Sequence, residues 1–184
     1  MTRSWPLLAA VALSGCEGSG TDDEAAMRAE TAAALSSACV SDEFENVPLT
    51  HCVADPARHE IAVVLGPKGK PPFRSLSALA DARGSTSRNV AFAMNGGMYD
   101  PEGQPIGYHV ERGQRLHKLS RSKGPGNFHM LPNGVFFGTA DKWQVRTAED
   151  FADAVAERPQ FATQSGPMLV IAGKLHPQIT RDGE

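Results

Sequence analysis

The sequence predicts an α+β protein: a mainly antiparallel, twisted sheet with a few flanking helices, incomplete at its C-terminus. Three observations carry this. Eighteen glycines and thirteen prolines among 184 residues are many for a helical chain and suit short strands joined by turns. The apolar runs are four to six residues long and bounded by Gly, Pro, Asn or Asp, the punctuation of strands rather than of helices. The chain closes on the polar, turn-like Thr180 to Glu184, with no final strand or helix.

Taken in order, Met1 to Gly15 has Arg3 in a short positive region, an apolar stretch from Trp5 to Leu13 and small residues before Cys16. The stretch is too short for a permanent membrane span and reads as an export signal over residues 1–15. Its end, Leu13-Ser14-Gly15-Cys16, resembles the lipobox of bacterial lipoproteins, which makes Cys16 the lipidated first residue of the mature chain; an ordinary secretory signal is the alternative. Residues 16–38 form a polar tether and an alanine-rich peripheral helix from Asp22 to Ser37, acidic residues first. The chain has three cysteines. With Cys16 given to lipid, Cys39 and Cys52 remain as a pair, and outside the cytoplasm a disulfide is their natural state. The expected location is the bacterial cell envelope, lipid-anchored, facing the periplasm or the exterior.

The domain proper is expected over residues 39–184. Its strand candidates are Leu49 to Val53, Ile61 to Leu65, Val90 to Met94, Tyr108 to Glu111, Leu116 to Leu119, Phe128 to Leu131 and Val135 to Gly138. Leu131 to Phe137, "LPNGVFF", reads as a hairpin tipped by Asn133-Gly134. Ser75 to Arg83 is a short helix with a serine cap and Gly84 at its end. Thr147 and Asp150 cap a second helix reaching Glu157. Residues 161–177, "FATQSGPMLVIAGKLHP", then read as a strand, a Ser-Gly-Pro break and another apolar strand.

Bulk electrostatics point away from nucleic acid, because the net charge is −3 and no basic patch dominates. The informative stretch is Ala91 to Asp100, "AFAMNGGMYD". Asn95-Gly96-Gly97 ends an apolar run and leads into a loop rich in breakers, not into a second alternating strand. Glycines there let backbone approach a ligand and turn N–H groups toward it; a tight structural turn is the competing reading. Tyr99 is placed to face a ligand or to cover the core edge. Lys118, Arg121 and Lys123 stand among glycines between His117 and Asn127, a cationic loop for an anion or a solvated basic loop. Gln164-Ser165-Gly166 repeats the pattern of a strand ending in polar side chains and glycine. Ser165 lacks the Gly-x-Ser-x-Gly context of a hydrolase nucleophile. His109 and His117 have no metal-ligand spacing with each other or with a cysteine, so no metal ligands are read and the cofactor is unknown.

Four stretches in this order are similar to the phosphodiester glycosidase family of exported bacterial proteins, relatives of the uncovering enzyme that removes N-acetylglucosamine from a phosphodiester. They are the Cys39/Cys52 segment with His59 to Val64, Ala91 to Gly113, Gly126 to Gly138, and Phe161 to Pro177. The resemblance implies hydrolysis of the sugar C1–O bond of a sugar-1-phosphodiester, with a carbohydrate phosphodiester as partner. It also implies later Arg-Asn-Gly-Val and Leu-Asp-Gly-Gly segments, which do not occur before Glu184. A phosphate leaving group needs fixed donors and charge neutralisation more than a general acid. On that chemistry the substrate-binding candidates are Asn95, Gly96, Gly97, Tyr99, Lys118, Asn127, Gln164, Ser165 and Gly166. Asp100 and Glu102, in the loop after the glycines, are the catalytic candidates, with acid and nucleophile unassigned. A non-catalytic carbohydrate- or phosphate-binding envelope lipoprotein is the alternative.

Overall fold

A computed structural model describes residues 23–27, 38–139 and 142–179. The expected export signal, Cys16 and most of the span expected to be a helix, Asp22 to Ser37, lie outside them; residues 23–27 are helical. Strands β1 (Cys39–Phe44) and β2 (Val47–Cys52) form an antiparallel hairpin, and helix α1 (Leu76–Arg83) follows it. Strands β3 (His109–Glu111), β4 (Gln114–His117), β5 (Gly134–Gly138), β6 (Trp143–Thr147) and β7 (Phe161–Ser165) make one sheet in the order β4-β3-β7-β5-β6. All its ladders are antiparallel. Helix α2 (Ala148–Ala154) follows β6, and β8 (Val170–Ile171) with β9 (Lys174–Leu175) form a small terminal hairpin. The α+β class therefore holds.

Alternation along the strands decides the core. Tyr108, Val110, Val135, Phe137 and Ala162 point to one face, where Phe151 of α2 closes over them. Its ring lies 5.0 Å from Tyr108 and 4.8 Å from Phe137. Helix α2 is held there by its predicted cap, since Thr147 Oγ1 accepts the Asp150 N–H at 3.0 Å. It stops at Ala154, short of Glu157. Helix α1 also starts as read, with Ser75 Oγ accepting from Ala78 N at 3.1 Å and Gly84 ending it at φ 55°. None of its residues is buried, so it stands outside the sheet. Cys39 and Cys52 are cross-strand partners and form the expected disulfide.

Several expected strands take other forms. Ile61 to Leu65 and Val90 to Met94 are in no ladder: Leu65 O accepts from Phe73 N at 2.9 Å, but no strand pairing grows from that bond, and β-propensity without a paired neighbour does not make a strand. Phe128 to Leu131 is not a strand either. A 3-10 turn over Asn127–His129 sinks Phe128 into the interior, and Pro132, joined by a cis bond to Leu131, has no N–H for a ladder. Asn133-Gly134 is not a hairpin tip. Asn133 is fully buried, and β5 begins at Gly134 between β6 and β7. Val135 and Phe137 are buried under α2. Ala172-Gly173, both at positive φ, fold the last apolar run into β8 and β9; Leu169 and Val170 there are exposed.

Candidate functional site

The glycine motif is set by its contact with the central strand. Gly97 has φ +52°, and a Cβ there would collide with Thr163 Oγ1 and come within 2.9 Å of the Gln164 carbonyl oxygen. Both the backbone angle and the space demand glycine. After it the chain doubles back: Ile106 N donates to Met98 O at 3.1 Å, and Asp100 N donates to Gln104 O at 2.9 Å. Gln104 N in turn donates to Asp100 Oδ1 at 2.7 Å. Tyr99, exposed, pairs with Pro105 across this small loop.

A second segment comes to meet it. The loop after β4 is pinned at Ser120, whose N–H donates to Gln164 Oε1 at 3.0 Å and whose carbonyl accepts from Gln164 Nε2 at 2.6 Å. The His129 ring holds Ser122 O from Nδ1 at 2.9 Å. Between these ties Pro125, Gly126 and Asn127 turn toward Asn95, Gly97, Met98 and Tyr99, with Ile106, Phe128 and His129 completing an open cleft of about 480 Å³.

The floor is a buried polar network. Gln164, 1% exposed, also accepts from Tyr108 N at 2.8 Å and donates to Asn133 Oδ1 at 3.1 Å. Asn133 Nδ2 donates to Phe128 O at 3.2 Å. Two glycines let these layers touch: a Cβ on Gly107 would lie 2.8 Å from Gln164 Cβ and from the Phe128 ring, and one on Gly166 would lie 2.6 Å from Phe128 O. A satisfied network of this kind fixes the geometry above it. Beside it, His109 is buried with Nε2 unpartnered. Burial, and then the neighbouring His117, lowers its pKa. His117 is itself tied through Nδ1 to Gly107 O at 3.0 Å.

Of the sequence candidates, the fold gathers Asn95, Gly97, Tyr99 and Asn127 around one space. Gly96 backs onto Thr163. Gln164 and Gly166 lie beneath as scaffold, with Ser165 exposed at the end of β7. Lys118, Asp100 and Glu102 are not among the lining residues; the Asp100 carboxylate is engaged in its own turn, and Glu102 is exposed. Reading the sequence missed His129, Phe128, Met98 and Ile106 as lining, and Asn133 as a support. No local pattern marks them, because the 3-10 turn that presents Phe128 and His129 looks like a strand in sequence. Asn95 and Asn127 carry side-chain amides with no partner among the described residues, so donors and acceptors are available to a ligand. Among the described residues no group of three or more His, Cys, Asp or Glu is placed to hold a metal, and no helix is long and apolar enough to cross a membrane.

The sequence model of the phosphodiester glycosidase family matches residues 88–184, more than half of the chain and all of the cleft. An Escherichia coli (strain K12) protein, named uncharacterized protein YigE, is 41% identical over 90 residues. That match covers 49% of this chain and 35% of the relative, so the chain spans about a third of the length of the curated relative it matches. No solved structure matches the chain.

Proposed function

Because the chain belongs to the phosphodiester glycosidase family, we propose that the cleft between Asn95 and Asn127 binds a sugar-1-phosphodiester and that the protein hydrolyses its C1–O bond. The observation that carries the reading is the meeting of two free carboxamides and an exposed Tyr99 ring in one cleft, although about thirty residues of chain separate them. Carboxamides give hydrogen bonds to hydroxyl and phosphate oxygens, and a tyrosine face suits the apolar side of a pyranose. Gly97, held tight against β7, lets the ligand approach backbone. Departure of a phosphate monoester needs donors on its oxygens and little proton transfer.

The test is hydrolysis of an N-acetylglucosamine-1-phosphodiester by the natural full-length protein and by its Asn95→Ala and Asn127→Ala variants. Each variant is expected to lose about tenfold to a hundredfold in kcat/KM, the scale of one or two hydrogen bonds to charged oxygen. Wild-type rates in both variants contradict the assignment. Binding without turnover in the wild type favours a lectin-like envelope protein. We also propose anchoring at the bacterial envelope through Cys16, supported by Leu13-Ser14-Gly15-Cys16. Mass spectrometry of the mature N-terminus should find diacylglycerol on Cys16; an unmodified start elsewhere contradicts it.

A further inference from the structure

Resting on that reading, we infer that His129 is the base that takes the proton of the attacking water. His129 lines the cleft, and an imidazole nitrogen with a free lone pair can accept a proton. Its geometry is that of a prepared base. The Ser122 carbonyl oxygen only accepts, so the 2.9 Å bond to it places the proton on His129 Nδ1. The neutral ring then carries its lone pair on Nε2, which has no partner among the described residues. The ring is held on its other sides as well. Phe128, buried, meets it edge-on with centroids 5.1 Å apart. Gly124 lies so close that a Cβ there would be 3.0 Å from His129 Cδ2. A ring oriented by a carbonyl, a buried aromatic and a glycine has the fixed tautomer and direction that general-base catalysis requires.

The step balances without another reactant. A water O–H proton passes to His129 Nε2 as the water oxygen bonds to the sugar C1. The C1–O bond to phosphorus breaks, and its electron pair leaves with the phosphate monoester. The imidazolium then returns the proton to solvent.

The test uses the natural full-length protein and a sugar-1-phosphodiester. Wild-type kcat should fall as the pH is lowered. His129→Gln should lose about a hundredfold or more in kcat with KM little changed, and should lose the acid limb. His129→Ala should be partly restored by added imidazole, which a merely structural role would not allow. A wild-type profile with no acid limb, or a His129→Gln enzyme with wild-type kcat, overturns the assignment; the first needs no variant to fold. Failure of the wild type to hydrolyse any such diester overturns the functional reading, and this assignment with it. Turnover that does not depend on His129 overturns this assignment alone.

Discussion

At the scale of single residues, the chain reserves glycine and amide side chains for places where the site is assembled. Gly97 was readable as a special position because Asn-Gly-Gly ends an apolar run; what makes it special, Thr163 and Gln164 pressing on its backbone, comes from a strand more than sixty residues away and leaves no trace in local pattern. Asn133 shows the opposite case. Its local context spells a hairpin tip, yet it is buried and bonded to Phe128 O and Gln164; tertiary hydrogen bonding outweighs turn propensity. His109 yields a residue-scale prediction. With its pKa lowered in the folded state, first by burial and then by His117, the unfolded chain binds more protons in the window just below the ordinary histidine value of about 6.5. Stability therefore rises with pH through that window and falls on acidification. The urea midpoint should drop between pH 7.5 and 5.5 in the wild type and drop less in His129-intact His109→Leu, which also removes an unpartnered buried nitrogen. Parallel pH dependence in both proteins would show that His109 contributes nothing to it.

Among the elements, the two helices were legible to within a few residues because their caps are local chemistry: Ser75, Thr147 and Gly84 act within one turn. Strands such as β5 and β7 were legible from their apolar residues, whereas the apolar run Ile61 to Leu65 misled because it lacks a ladder partner. β1 and β6 were missed because their polar residues hide the alternation. The β1–β2 hairpin gives the element-scale prediction. Every residue from Val40 to His51 is exposed, so little packing supports it, and an isolated two-stranded hairpin is marginal in water. Its disulfide closes a separation of 13 residues, worth about 3 kcal/mol in the loop-entropy picture. Replacing Cys39 and Cys52 by serine should abolish hydrogen-exchange protection in β1 and β2 and leave β3, β5 and β7 protected. Equal loss in the large sheet would mean that the hairpin is coupled to the domain core.

For the molecule as a whole, one face of the five-stranded sheet is closed by α2 and the network under Gln164 ties that sheet to the cleft, so fold stability and site geometry share the same residues. The family was legible from ordered motifs, each weak alone; three of the four lie in the matched region at 88–184, which contains the cleft, and the Cys39/Cys52 segment lies before it. The site was half legible. Asn95, Gly97, Tyr99 and Asn127 announce themselves by glycine context, whereas Phe128 and His129 reach the cleft only through a turn that the sequence disguises. The proposed reaction breaks the bond between the sugar C1 and its oxygen, not the bond between oxygen and phosphorus. The most direct measurement runs the reaction of the natural full-length protein on a sugar-1-phosphodiester in ¹⁸O-labelled water and follows the label by mass spectrometry. Label in the released sugar, with an unlabelled phosphate monoester, is the predicted result; label in the phosphate would show attack at phosphorus and contradict it.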